Sequence, residues 1–135
     1  MKALDDHILV AGQIRPQEVA ALAAEGVTMI VNNRPDGEEA GQPTSSEMEA
    51  AASNSGLAYR HIPVASGFSA GQVQAMAAAL EEAEGQMLAF CKSGTRSTYL
   101  WALARAQGGE DPEEIAAKAA AAGYDLAPIL PFLRA

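Results

Sequence analysis

The chain holds a single cysteine among its 135 residues, which excludes an intrachain disulfide and any metal site built on several thiolates. One unpaired thiol also suits a reducing compartment, so a cytoplasmic protein is expected. Aromatic residues are scarce, at 5%, and the core has to come from aliphatic side chains and close helix–sheet approach. Basic residues are outnumbered by acidic ones, nine against seventeen, for a net charge of −8. Nucleic acid and anionic membrane are poor partners for such a chain. No apolar run approaches the length of a membrane span, and the N-terminal Met-Lys-Ala-Leu-Asp-Asp-His carries no apolar signal core. Neither an internal repeat nor a low-complexity linker divides the chain, so residues 1–135 are expected to form one domain. No metal or cofactor is expected.

What is present alternates between two periods. Ile8-Leu-Val-Ala11 and the β-branched Val27-Thr-Met-Ile-Val31 read as strands, the second covered on both faces. Leu57 to Ile62 and Met87 to Phe90 read as two more, the former stopped by Pro63. Between them lie helical stretches. Arg15 to Glu25 has Pro16 in its first turn and Gly26 as its stop. The stretch from Thr44 carries a Thr44/Glu47 capping box, and the one from Ser69 repeats apolar residues at Val73, Met76, Ala77 and Leu80. Further helices start near Arg96 and at Asp111-Pro112, and Leu126 to Leu133 reads as a short helical or irregular tail that packs back on the body. This alternation predicts an α/β fold with a mainly parallel sheet of about four strands flanked by helices. Met76, Met87 and Trp101 are expected in the core.

Cys91 stands where a strand gives way to a helix, in Phe90-Cys-Lys-Ser-Gly-Thr-Arg-Ser97. That order aims backbone N–H groups and the positive end of a helix dipole at the sulfur. A thiol so placed is expected to ionise more readily than a free one at about 8.5, towards the roughly 3.5–7.5 of comparable sites. Lys92, Ser93, Gly94 and Thr95 form the candidate anion-binding loop, and Arg96 closes it with a fixed positive charge. Gly94 marks the position that needs a positive φ or a close backbone approach. Arg34 and His61 lie at the ends of other strands on the same rim. A long polar loop, Asn32 to Pro43, leaves the second strand there and carries Asp36, Glu38 and Glu39 as candidate proton donors.

The paired motifs Asn32-Asn-Arg-Pro-Asp-Gly-Glu38 and Cys91-x-x-Gly-x-Arg-Ser97, with Tyr59-Arg-His-Ile-Pro-Val64 between them, give the chain a family resemblance. Residues 3–107 resemble the phosphatase-like domain of the bacterial beta-lactamase hydrolase-like proteins, found alone or fused to a metallo-β-lactamase-like persulfide dioxygenase. The resemblance implies a dual-specificity or tyrosine-phosphatase-like fold. It also implies a nucleophilic Cys91, and a Ser97 hydroxyl that donates to the thiolate as the matching hydroxyl does in phosphatases. Two features depart from the phosphatase pattern. Only four residues separate Cys91 from Arg96, as in rhodanese-type sulfurtransferases, and Phe90 stands where phosphatases carry histidine.

The loop after Ile62 reads Pro-Val-Ala-Ser-Gly-Phe-Ser-Ala and supplies no carboxylate, yet expelling an ester oxygen needs an acid. Sulfane sulfur has no such need, because sulfite or a low-pKa thiolate leaves unprotonated. The sequence therefore favours a sulfurtransferase that carries sulfur as a Cys91 persulfide. Its donor is expected to be thiosulfate or glutathione persulfide, its acceptor an external thiol, and its partner a persulfide dioxygenase or sulfide-oxidising enzyme. The alternative is a tyrosine or dual-specificity phosphatase working through a cysteinyl phosphate, with Asp36 as substitute acid. A non-enzymatic anion- or thiol-responsive module is the third reading.

Overall fold

The computed structural model describes residues 1–134. Its elements run β1 (Lys2–Ala3), β2 (Ile8–Ala11), α1 (Val19–Ala24), β3 (Val27–Asn32), α2 (Ser45–Asn54), β4 (Ala58–His61), α3 (Ala70–Glu82), β5 (Gln86–Phe90), α4 (Thr95–Gln107), α5 (Pro112–Ala121) and α6 (Leu130–Leu133). Single 3-10 turns, Pro16–Glu18 and Ala127–Ile129, lead into α1 and α6. The sheet order is β1-β2-β5-β3-β4, parallel except for β1. The fifth strand, β1, was not expected from the sequence. Two residues are too few for an alternation to register, and the hairpin with β2 is held by the Asp5 carboxylate, which accepts from the amides of His7 and Ile8.

The anticipated caps are present. Thr44 accepts from the Glu47 amide and Ser69 from that of Gln72. Asp111 sits at the N-cap of α5 without a side-chain cap bond.

β5 is the central strand, hydrogen-bonded to β2 on one side and β3 on the other. Its side chains alternate between two core layers. Met87 and Ala89 join Trp101, Met76, Ile115 and Leu126 beneath α3 to α6. Leu88 and Phe90 join Ile30, Val19 and Met48 beneath α1 and α2. Met76, Met87 and Trp101 are all fully buried in the core, as expected. Because β2, β3, β4 and β5 run in parallel, their C-terminal ends share one edge, and the loops that follow gather there.

Candidate active site

β5 delivers Cys91 to that edge with no exposed surface. Gly94 adopts φ +90°, a left-handed conformation that turns the chain into α4. Its carbonyl then accepts from both the amide and the hydroxyl of Thr98, at 3.0 and 2.8 Å, and the helix is under way. Its amide points the other way and donates to Cys91 Sγ at 3.0 Å. The sulfur thus lies at the positive end of a 13-residue helix. The Cys91 amide donates to Ala11 O, and the Lys92 carbonyl packs against Gly12, where an added Cβ would stand 2.9 Å from the oxygen. Ser93 donates to Thr95 Oγ1 at 3.1 Å, and Lys92 is exposed.

Arg96 closes the loop, and its position is fixed from outside. Its Nη1 donates to Glu38 Oε2 and to the Val64 carbonyl, and its Nη2 donates to Glu38 Oε1 at 2.8 Å. Glu38 also accepts from Arg34 Nε at 2.9 Å, so one carboxylate bridges two guanidinium groups. Those partners, the Arg96 hydrogen bond foremost, hold the Glu38 carboxyl down at about 2. Arg96 in turn is kept charged first by Glu38 and, after it, by Cys91 nearby. Arg34 is buried, at 1% exposure, and also donates to Gln13 Oε1 at 3.0 Å. It is an internal brace between the loops after β2 and β3.

Several expectations change with this geometry. Asp36 is not placed as an acid, because its carboxylate accepts from the Ser45 amide at 2.8 Å and caps α2. Ser97 does not donate to the sulfur; its buried hydroxyl donates to Asn33 Oδ1 at 2.8 Å. His61 stands within 2.9 Å of the Arg34 carbonyl oxygen. A carbonyl can only accept, so Nε2 carries the proton and the ring supports the loop backbone. Within the loop, the Gly94 amide meets the Cys91 sulfur and Arg96 lies beside it, Lys92 is exposed and Ser93 bonds to Thr95, while Arg34, Asp36 and His61 bond within the neighbouring loop and its surroundings.

Two contributors, Asn33 and Tyr124, were given no role in the sequence reading, and a third, Glu38, was read there as a candidate proton donor. Asn33 is fully buried and ties three elements together, donating to Phe90 O and Ile62 O and accepting from Val64 N and Ser97 Oγ. Glu38 was counted as one loop carboxylate among three, although its place in the Asn-Arg-Pro-Asp-Gly-Glu run was a usable signal. Tyr124, whose hydroxyl donates to Ser93 O at 3.2 Å, gave no signal at all.

The arrangement provides a nucleophile, a backbone donor on it and a fixed cation beside it. Of the three candidate acids on the long loop, Asp36 accepts from the Ser45 amide, Glu38 is paired with Arg34 and Arg96, and Glu39 stands 3.5 Å from Arg34 Nη2. Among the described residues no group of three or more His, Cys, Asp and Glu side chains is placed to hold a metal ion. Nor is any helix among them long and apolar enough to cross a membrane.

Residues 1–109 match the family model described as the phosphatase-like domain of beta-lactamase hydrolase-like protein. Beta-lactamase hydrolase-like proteins of Xylella fastidiosa and Agrobacterium fabrum are 36% and 38% identical to the chain over 138 and 112 residues, or 99% and 81% of it. The chain spans only 32% and 26% of their lengths. A phosphatase candidate from Neisseria meningitidis superposes with a TM-score of 0.84 at 30% identity, over 98% of this chain and 94% of that one. Tk-PTP in its active form superposes with a TM-score of 0.73 at 17% identity, over 98% and 92%, a likeness of fold alone.

Proposed function

Because the chain belongs to the phosphatase-like domain family of the beta-lactamase hydrolase-like proteins, we propose that it transfers a phosphoryl group through a thiolate on Cys91. The family description and the phosphatase neighbours support this reading over the sulfurtransferase that the sequence favoured. The observation that carries it is the Cys91 sulfur under the Gly94 amide, beside Arg96, at the end of the central strand of such a fold. Sγ attacks phosphorus, an S–P bond forms, and the ester P–O bond breaks with its electron pair going to the leaving oxygen. Water then attacks phosphorus, releasing phosphate and the cysteine.

The missing acid restricts the substrate. Asp36 caps a helix and Glu38 is held ionised, so the leaving oxygen departs unprotonated. Good substrates are therefore aryl or acyl phosphates rather than alkyl esters. A substrate oxygen that binds Arg96 through Nη1 takes the place of Glu38 or of the Val64 carbonyl.

The same missing acid, with the four-residue interval between Cys91 and Arg96, favours a second reading. In it the thiolate attacks a sulfane sulfur, an S–S bond forms and sulfite or a thiolate leaves. The Cys91 persulfide then passes its outer sulfur to an external thiol such as glutathione, since the chain offers no other cysteine. A persulfide-consuming dioxygenase is the matching partner.

One parallel experiment separates the two: steady-state turnover of a series of aryl phosphates, beside intact-protein mass measurement after exposure to thiosulfate or glutathione persulfide. Phosphoryl transfer predicts turnover that rises steeply as the leaving phenol becomes more acidic and disappears in Cys91→Ser. A protein heavier by one sulfur atom, with no phosphate released, overturns it in favour of sulfur transfer. Failure in both arms removes both.

A further inference from the structure

The Cys91 loop is also gripped from behind, by a residue outside the 1–109 span of the family match. Tyr124 follows α5 and donates from its hydroxyl to the Ser93 carbonyl oxygen. The amide that donates to Cys91 Sγ belongs to Gly94. That carbonyl and that amide are opposite ends of one peptide group. A trans peptide is planar, with C=O and N–H pointing in opposite directions, and the described residues contain no cis peptide. Neither end can turn without the other, so the phenol that fixes the carbonyl also fixes the direction of the N–H.

We propose that Tyr124 is a positioning residue for the Cys91 thiolate, acting through the peptide between Ser93 and Gly94. The phenol does two things there. It blocks rotation of the peptide away from the sulfur, and by donating to the carbonyl it polarises the N–H on the far side, so the two hydrogen bonds strengthen each other.

Three observations support the assignment. A Cβ built on Gly94 would collide with the Tyr124 hydroxyl, so ring and loop are in direct contact. Tyr124 is itself held in place: its amide donates to Ala119 O, and Tyr99 of α4 donates to the carbonyl of the next residue, Asp125. Finally, burial and then the Cys91 charge raise the Tyr124 hydroxyl's own pKa, so it keeps its proton and remains a donor while the thiolate forms. Of the other charged groups near the sulfur, Arg96 faces it from α4, Glu38 reaches it only through Arg96, and Lys92 is turned to solvent.

The inference rests on Cys91 working as a thiolate, but its test needs no substrate. Cys91 is the only cysteine, so ultraviolet thiolate absorbance, read against Cys91→Ser as blank, reports on it alone. In Tyr124→Phe, which keeps the ring and removes the donor, the pH midpoint of thiolate formation is expected to move up by roughly half a unit to one unit. An unchanged midpoint in Tyr124→Phe overturns the proposal. So does a midpoint that moves only in Tyr124→Leu, since packing alone would then be responsible. A readout without any variant is the NMR of the native protein. The Tyr124 ring resonances are expected to shift with the midpoint of Cys91, and resonances indifferent to it overturn the coupling. Loss of this effect leaves the substrate question where the turnover assays put it.

Discussion

Glu38 is the side chain on which the two arginines depend. Replacing it with glutamine keeps one acceptor but removes the charge that balances Arg96 and the buried Arg34. Glu38→Gln is expected to lose about 1–3 kcal/mol in urea unfolding at neutral pH. The pH dependence follows from the direction of the shift. The folded carboxyl titrates at about 2, below its ordinary 4.5, so its contribution is present above 4.5 and lost as the pH falls towards 2. The carboxylate is partly solvated, which tempers the size of that contribution. Between those two values the wild type should lose stability faster than Glu38→Gln, and parallel slopes would show that the pairing contributes nothing. Ser97 poses a simpler question. Its hydroxyl is the donor to the side-chain oxygen of fully buried Asn33. Ser97→Ala leaves that oxygen unpaired, at an expected cost of about 1–3 kcal/mol, measurable by the same unfolding experiment.

At the level of elements, the close approach of two loops governs the site. Gly12, just after β2, touches the Lys92 carbonyl, and a methyl group there would come within 2.9 Å of a backbone oxygen. Backbone cannot step aside as a flexible side chain can, so Gly12→Ala should displace the start of the Cys91 loop. The expected result is a stability loss of about 1–3 kcal/mol, and a loss of thiol reactivity larger than that destabilisation explains, read by alkylation of Cys91 in the folded state. Equal reactivity would mean that the loop tolerates the displacement. Neither this contact nor the bridge at Glu38 was legible in the sequence, because both join residues more than fifty positions apart. What was legible is local. The strand–turn–helix around Cys91 follows from an apolar run, a glycine that has to turn left-handed and a helical pattern. The Thr44 cap follows from residue types three apart. Asp36 misled because a carboxylate near a rim looks the same whether it faces solvent, a substrate or the open amides at the start of α2.

For the whole molecule, the active edge depends on the layer of helices behind it. α5 and the tail lie beyond the family match, yet Ile115, Ala119, Leu126, Ile129 and Leu133 are buried in the core that contains Trp101 and Met87. The uninterrupted apolar run of β5 and the helical spacing of α3 were legible, because the one is covered on both faces and the other along one stripe. The docking of the tail from Leu126 to Leu133 onto the body was expected too, and Leu126, Ile129 and Leu133 carry it; what left no trace was the contact of Tyr124 with the Cys91 loop, which only the folded chain brings about. Ile115 tests how far the site relies on that docking, since it is fully buried and touches no part of the Cys91 loop through a hydrogen bond. Ile115→Ala removes buried methyl and methylene groups and is expected to destabilise the fold by about 2–5 kcal/mol in urea, followed by the fluorescence of Trp101, the chain's only tryptophan. If α5 carries Tyr124 onto the loop as one rigid piece, the same variant also slows Cys91 alkylation under conditions where the protein is still folded. Unchanged alkylation beside the full loss of stability would mean that Tyr124 is held by its local bonds to Ala119 and Asp125 and not by the core beneath it.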